Sequence, residues 1–368
     1  MKPNLRQDAG SLLVVGLGGT GLSDLERAWL RLVRPGGVIL FRRNIADAAQ
    51  TRALLAEATA LCAPDAFRCI DAEGGTVDRL REALAAMPAA QSVARAARTA
   101  GRPALAREHG ELVARAIKAF GFNTTLAPVL DLGLPESAAV LGTRTAGETA
   151  AEVTAYAREF LAGLAAQDVI GCGKHFPGLG AGALDSHHET PHIARRWDEL
   201  WRQDLAPYRA LRDQLPMVMM NHAAYPRTRG RDRPASTSRY WITTVLRQRI
   251  GYRGLVFSDD LEMGGILRFM PVGEAAAAAL GAGANLLEIC HSPELILRAY
   301  EGLLSEAERS AAFARLLSAR ARLLARVRAR LFAGGVPRPL STARLEALRA
   351  RILGFRATVT RLEETGNA

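Results

Sequence analysis

Along the chain, short runs of consecutive apolar residues alternate with longer stretches in which apolar residues recur every three or four positions. The candidate strands on this pattern fall at 12–15, 38–41, 68–70, 123–126, 169–172, 217–220, 255–257 and 286–289. Runs of this kind fit strands buried on both faces, as in a parallel sheet. The longer stretches predict amphipathic helices over 104–120, stopped by Gly121, and over 151–167, with an alanine-rich helix over 275–281. Eight strands, each followed by a helical pattern over about 300 residues, predict a (β/α)8 barrel, the TIM-barrel form of the α/β class. After Pro293 the pattern is helical to the end, divided into two long helices by Gly334, Gly335 and Pro337. The expected organisation is a barrel over 1–295 and a C-terminal helical extension over 296–368 packed on it.

The polar residues that close these runs sharpen the picture. Arg43 and Asn44 follow the second run, Asp71 the third, Lys174 and His175 the fifth, Asn221 and His222 the sixth, Asp259 and Asp260 the seventh, and His291 the eighth. Ionisable groups at the ends of buried strands cost several kcal/mol unless they meet partners or water. A shared pocket at the C-terminal face of a barrel supplies both.

Composition changes this little. With 49% hydrophobic and 23% charged residues the chain is globular, and its net charge of +11 is nearly all arginine. Much of that arginine alternates with Ala and Leu over 315–330, without aromatic residues between. It therefore reads as solvated helix face, and neither a nucleic-acid nor a membrane partner is expected. Cys62, Cys69, Cys172 and Cys290 form no CxxC pair and fit no zinc spacing, as expected of reduced thiols in a cytoplasmic protein. Lys2 and Arg6 before the apolar run at 12–17 resemble a signal peptide, but Asp8 interrupts it and the run serves better as a first strand.

Four stretches carry candidate chemistry. Gly16-Leu17-Gly18-Gly19-Thr20-Gly21 fits the dinucleotide-binding pattern, with Arg42 and Arg43 available to a 2′-phosphate. No acidic residue stands at the ribose position, and the later polar strand ends go unused in that reading. Asp71-Ala72-Glu73-Gly74-Gly75 places a carboxylate before a tight turn, suited either to binding two sugar hydroxyls or to capping a helix. Lys174-His175-Phe176-Pro177-Gly178 leads into a glycine-rich loop carrying Asp185-Ser186-His187-His188. An Asp two residues from a His can accept its ring N–H and tune it as a general acid/base. The loop's composition predicts that 178–191 moves when no ligand is bound. A metal held by His187, His188 and His192 is the alternative; Pro191 works against the helix that would align His188 with His192, and no metal or other cofactor is expected. Lys174 is one of only three lysines in the chain, which hints that a compact ammonium is required there. Finally, Ser258-Asp259-Asp260-Leu261 sets adjacent carboxylates at a strand end, where one can face the pocket while the other is held structurally.

Together these stretches resemble the family-3 glycoside hydrolases, in particular the single-domain bacterial β-N-acetylglucosaminidases. The resemblance runs from about Gly16 to His291. It includes GGVILFRRN at 36–44, DAEGG at 71–75, LAPVLDL at 126–132, LGTR at 141–144, KHFPG at 174–178, DSHHETP at 185–191 and SDDLEM at 258–263. It implies Asp259 as the nucleophile and His187, backed by Asp185, as the acid/base. It also implies Asp71, Arg79, Arg144, Lys174, His175 and His222 as the sugar-binding set. The substrate implied is a terminal N-acetyl-β-glucosaminide, as in a muropeptide of cell-wall recycling, cleaved with retention through a glycosyl-Asp259 intermediate. An imidazole acid/base would also let phosphate approach, so phosphorolysis is a variant. The sequence departs from the family pattern at Thr76, Ala146, Leu179 and Asn221. An NADP-dependent oxidoreductase and a catalytically inactive sugar-binding barrel are the rival readings.

Overall fold

The computed structural model describes residues 4–182, 191–231 and 233–365. Eight parallel strands among them close into a barrel: β1 (Leu13–Gly16), β2 (Gly37–Leu40), β3 (Phe67–Ile70), β4 (Thr124–Thr125), β5 (Ile170–Phe176), β6 (Met217–Met220), β7 (Leu255–Asp260) and β8 (Leu286–Ile289). Each pairs with its sequence neighbours, and β1 seals the ring against β8 with Leu13 opposite Leu287. β1, β2, β6 and β8 are buried along their whole length. That double burial is why the sequence shows apolar runs there, broken only by Glu288 in β8, and no alternation.

Helices follow the strands and wall the barrel. The expected helix over 104–120 is Ala104–Ala119, that over 151–167 is Ala150–Ala165, and the alanine-rich one is Val272–Ala282. The last begins at Val272, three residues before the patterned stretch, behind Pro271, since a proline before the first turn leaves no helical hydrogen bond unmade. The C-terminal tail forms three helices where two were predicted: Pro293–Arg309, Ala311–Leu331 and Thr342–Thr365. Ser310 makes the additional break. It ends one helix and caps the next, its hydroxyl accepting the Phe313 N–H. Pro293–Arg309 packs on Val272–Ala282 as the eighth wall helix, crossing the boundary expected at 295. Ala311–Leu331 packs on the N-terminal helix Leu5–Gly10, and Thr342–Thr365 on Ala90–Thr99 and Ala104–Ala119.

One arginine of the basic tail is not solvated. Arg328 is 2% exposed and donates to the Ser11 carbonyl at 2.9 Å, at the lower end of β1.

The glycine-rich segment after β1 does not form a dinucleotide site. The next helix, Asp24–Val33, begins only after the capping residue Ser23. Glu26 in its first turn takes the Gly18 N–H at 2.8 Å, and the Ser23 N–H and hydroxyl at 2.7 Å each. A carboxylate of the chain itself thus fills the place where a helix N-terminus would hold a phosphate. Gly16 is required for packing, because a Cβ there would lie 1.8 Å from the Cys290 carbonyl oxygen.

Candidate active site

Asp71 follows β3 directly and is succeeded by a short antiparallel hairpin, Ala72–Gly74 with Val77–Asp78. Its turn depends on glycine. Gly74 and Gly75 have φ of 90° and 60°, and a Cβ on Gly74 would stand 2.1 Å from the Pro88 carbonyl oxygen. Asp78 holds the hairpin from behind by accepting the Leu80 and Met87 N–H groups.

This geometry brings Glu73 beside Asp71, over the end of β5. Lys174 Nζ lies 2.9 Å from Asp71 Oδ1 and 2.6 Å from Glu73 Oε1. Arg144 grips Glu73 through two parallel hydrogen bonds of 2.8 and 2.9 Å, and Arg79 reaches Asp71 Oδ2 at 3.3 Å. Burial pushes the Asp71 carboxyl up, but Lys174, then Arg79, overrule it and hold it well below the usual carboxylate range. Burial likewise raises Glu73, and Arg144 and Lys174 bring it below its ordinary value. Desolvation disfavours the Lys174 ammonium, yet Asp71 and Glu73 keep it charged, shifting it upward. Two carboxylates and three cations thus form a charged lattice that can both donate to and accept from neighbouring hydroxyls. Glu73 and its role were not singled out in the sequence.

His175 is fixed by Asp131, another residue the sequence reading did not select. Asp131 Oδ2 accepts the His175 ring Nδ1–H at 2.6 Å and its backbone N–H at 3.1 Å, while Oδ1 accepts the Leu179 N–H at 2.7 Å. One carboxylate therefore orients the imidazole and ties down the root of the loop that follows. Asn221 donates to the His175 carbonyl at 3.0 Å and to the Tyr225 hydroxyl at 2.9 Å, and Tyr225 in turn donates to the Gly178 carbonyl. The departure at 221 thus has work in this structure. Leu179 is buried against the cavity, Ala146 is buried and Thr76 is exposed.

At the end of β7, Asp259 Oδ1 accepts the Asp260 N–H at 3.0 Å. Asp260 is held more firmly: Oδ1 accepts the Glu262 N–H, and Oδ2 lies 3.5 Å from His291 Nδ1. Glu262 gathers the Cys290, His291 and Ser292 N–H groups at 2.5–3.1 Å. Hydrogen bonds to Asp260 and Glu262 raise the His291 imidazole to about 9, so it is a cation at neutral pH. His291 also stacks on Phe41, which carries the Arg43 guanidinium on its ring at 4.7 Å.

Asp71, Arg79, Arg144, Lys174, His175 and Asp259 all line one cavity of about 200 Å³ at the C-terminal ends of the strands, with Phe41, Leu179, Asp260 and Glu288. His222 is not brought to it. Its Nε2 donates to the Asp260 carbonyl at 2.9 Å, leaving Nδ1 to accept the Ser236 hydroxyl at 2.7 Å. Burial depresses its pKa, and with both ring nitrogens engaged it positions the Asp259–Asp260 backbone. Asp185 and His187 lie outside the described residues, as does most of the segment expected to move; its described start, Gly178–Gly182, is tied down through Leu179.

Among the described residues, Asp260, Cys290 and His291 are the one trio with donor atoms within 4.8 Å of one another. Each is already committed. Cys290 donates its thiol proton to Glu288 at 3.3 Å, burial holds that thiol well above its usual range, and His291 carries a proton for Asp260 and Glu262. The trio reads as a hydrogen-bonded cluster and not as a metal centre.

A barrel whose strand ends converge on carboxylates, a buried lysine and an oriented histidine is the architecture of a sugar-cleaving enzyme. The chain belongs to the family described as "Glycosyl hydrolase family 3 N terminal domain", which matches residues 4–325. It is a glycoside hydrolase. Among its relatives, a beta-hexosaminidase of Methylococcus capsulatus is 40% identical over 286 residues, covering 77% of this chain and 84% of the relative. A family-3 beta-N-acetylglucosaminidase from a Paenibacillus species superposes with a TM-score of 0.82 at 32% identity, over 95% of this chain and 68% of that one. NagZ from Neisseria gonorrhoeae, solved in complex with N-trifluoroacetyl-D-glucosamine, gives a TM-score of 0.75 at 29% identity, over 97% and 98% of the two chains.

Proposed function

We propose that the enzyme is a retaining exo-β-N-acetylglucosaminidase, acting on N-acetylglucosamine-containing saccharides of cell-wall recycling in the cytoplasm. The observation that carries this reading is the convergence of Asp259 with the Asp71–Lys174–Glu73–Arg144 lattice and His175 on one small cavity. Two further findings support it: the beta-hexosaminidase relatives and the amino-sugar analogue bound by the Neisseria relative.

In this mechanism the lattice takes the ring hydroxyls and fixes the sugar. The Asp259 carboxylate attacks the anomeric carbon as the bond to the leaving oxygen breaks, and His187, oriented by Asp185, gives that oxygen its proton. Water then loses a proton to His187, attacks the same carbon and releases Asp259, restoring the starting configuration. Retaining enzymes more often use two carboxylates for these roles. We assign the chemistry to the barrel and treat the helices after Ser310 as a supporting extension.

The test is hydrolysis of p-nitrophenyl N-acetyl-β-glucosaminide beside the matching glucoside, with and without inorganic phosphate. Preferential release from the N-acetyl substrate, with the β-anomer of the free sugar formed first, is expected. A sugar 1-phosphate as main product would make the enzyme a phosphorylase, and no turnover of either substrate would overturn the reading.

A further inference from the structure

Glu288 is a carboxyl in a strand whose other residues are all apolar. It sits within β8, between Leu287 and Ile289, 3% exposed, and lines the floor of the cavity. Its backbone N–H is satisfied by the Ser258 hydroxyl and its Oε1 by the Cys290 thiol. Its other oxygen, Oε2, is buried and meets no hydrogen-bond partner. A buried polar atom without a partner is destabilising, and one that borders a ligand cavity points to the ligand as its partner.

Its surroundings define what that something can be. Asp259 and Asp260 approach from β7, Asp71 from the end of β3 and Cys290 from the end of its own strand. The buried Cys69 and Cys172 thiols of β3 and β5 also feel its charge. All of these are negative or neutral. Burial, reinforced by Asp260, Asp71 and Asp259, pushes the Glu288 carboxyl well above its ordinary value, which favours its protonated form. A protonated carboxyl carries an O–H donor, which needs an acceptor oxygen. A ligand carboxylate is unwelcome beside three other carboxyl groups.

We propose that Glu288 is a specificity-determining residue, donating a hydrogen bond from the cavity floor to a neutral oxygen-bearing substituent of the bound sugar. The proposal rests on the sugar-hydrolase reading and adds to it a group that the lattice and the nucleophile do not supply. It also gives Cys290 a role, since the thiol holds Oε1 and leaves Oε2 for the ligand.

The experiment compares the wild type with Glu288→Leu and Glu288→Gln on the p-nitrophenyl N-acetyl-β-glucosaminide, and on analogues lacking one ring hydroxyl or the acetamido carbonyl at a time. Leucine removes the donor and should lower kcat/KM about 10- to 100-fold. Glutamine keeps a neutral donor and should recover most of that loss. Leucine's penalty should vanish on the one analogue whose missing oxygen is the partner. In the pH profile, the alkaline fall of wild-type kcat/KM should combine the ionisation of Glu288 with that of the general acid His187, and Glu288→Gln should keep only the part due to His187. Equal rates for all three proteins, or a leucine penalty unchanged on every analogue together with identical pH profiles, would overturn the proposal. Thermal melts separate a folding defect from either result. An inactive wild type would instead refute the underlying hydrolase reading.

Discussion

Replacing Lys174 with methionine keeps the length of the side chain and deletes its charge. The ammonium lies within 3 Å of a carboxylate oxygen on both Asp71 and Glu73 and is 3% exposed. Removing one partner of a buried ion pair costs about 3–5 kcal/mol, because the other charge is stranded. Here each carboxylate keeps an arginine, Arg79 for Asp71 and Arg144 for Glu73. The lower end, about 3 kcal/mol, is therefore expected, or about 4 °C in Tm for a chain of this size. The sign with pH follows from Asp71. Its depressed titration gives stability that is present above the unfolded value and is lost only as pH falls through the folded one. In Lys174→Met, Asp71 keeps only its arginine partner, titrates higher, and much of this contribution is lost. The gap in Tm should be widest near pH 7 and narrow only below about pH 4, the ordinary range of an Asp carboxyl. Melts of both proteins from about pH 2 to pH 8 measure it. A gap under about 1 °C at pH 7, or one that grows on acidification, would refute the reasoning that this lattice is stabilised by Lys174.

Asp259→Asn should cut turnover by several powers of ten, and a mechanism-based fluorosugar should label Asp259 in the wild type; label on Asp260 would displace it as nucleophile. His187→Ala should slow substrates with basic leaving groups far more than activated aryl glycosides, and equal losses across leaving groups would remove it from the acid role. Asp131→Asn weakens the acceptor of the His175 ring and the Leu179 N–H; kcat/KM should fall about 10-fold with Tm changed by only a few degrees, and unchanged kinetics would show that His175 needs no orienting carboxylate.

The barrel was legible in the sequence because its strands are buried on both faces, which leaves runs no surface helix would show. Their ends were less so. The fifth run stops at Cys172, yet β5 continues through Lys174 to Phe176, and β7 runs on to Asp260. Apolar pattern ends where polar chemistry begins, whereas backbone pairing takes no account of side-chain polarity. Asp71, Lys174, His175 and Asp259 stand out at their strand ends, Arg79 and Arg144 only through the family resemblance, and their partners not at all. Asp131 and His175 are 44 residues apart, and Glu73 and Arg144 71. His222 shares the strand-end position of the others, and only the structure shows its ring turned to Ser236 and the Asp260 carbonyl. Glu288 did leave a signal, a lone charge inside the apolar run at 286–289, where a buried strand gives no other reason for one.

Arg328 gives the basic tail a part in assembling the barrel. Its bond to the Ser11 carbonyl spans 317 residues of chain, and the seam at which Leu13 meets Leu287 is nearly as long. The first strand therefore finds a lasting neighbour on one side early, in β2, and on the other only after most of the chain has been synthesised. Contacts this distant in sequence are slow to form and carry a high loop-closure cost. A chain shortened before residue 328 would lose the last tie across the lower end of β1, so the seam between the first and eighth strands is where such a protein would first come apart.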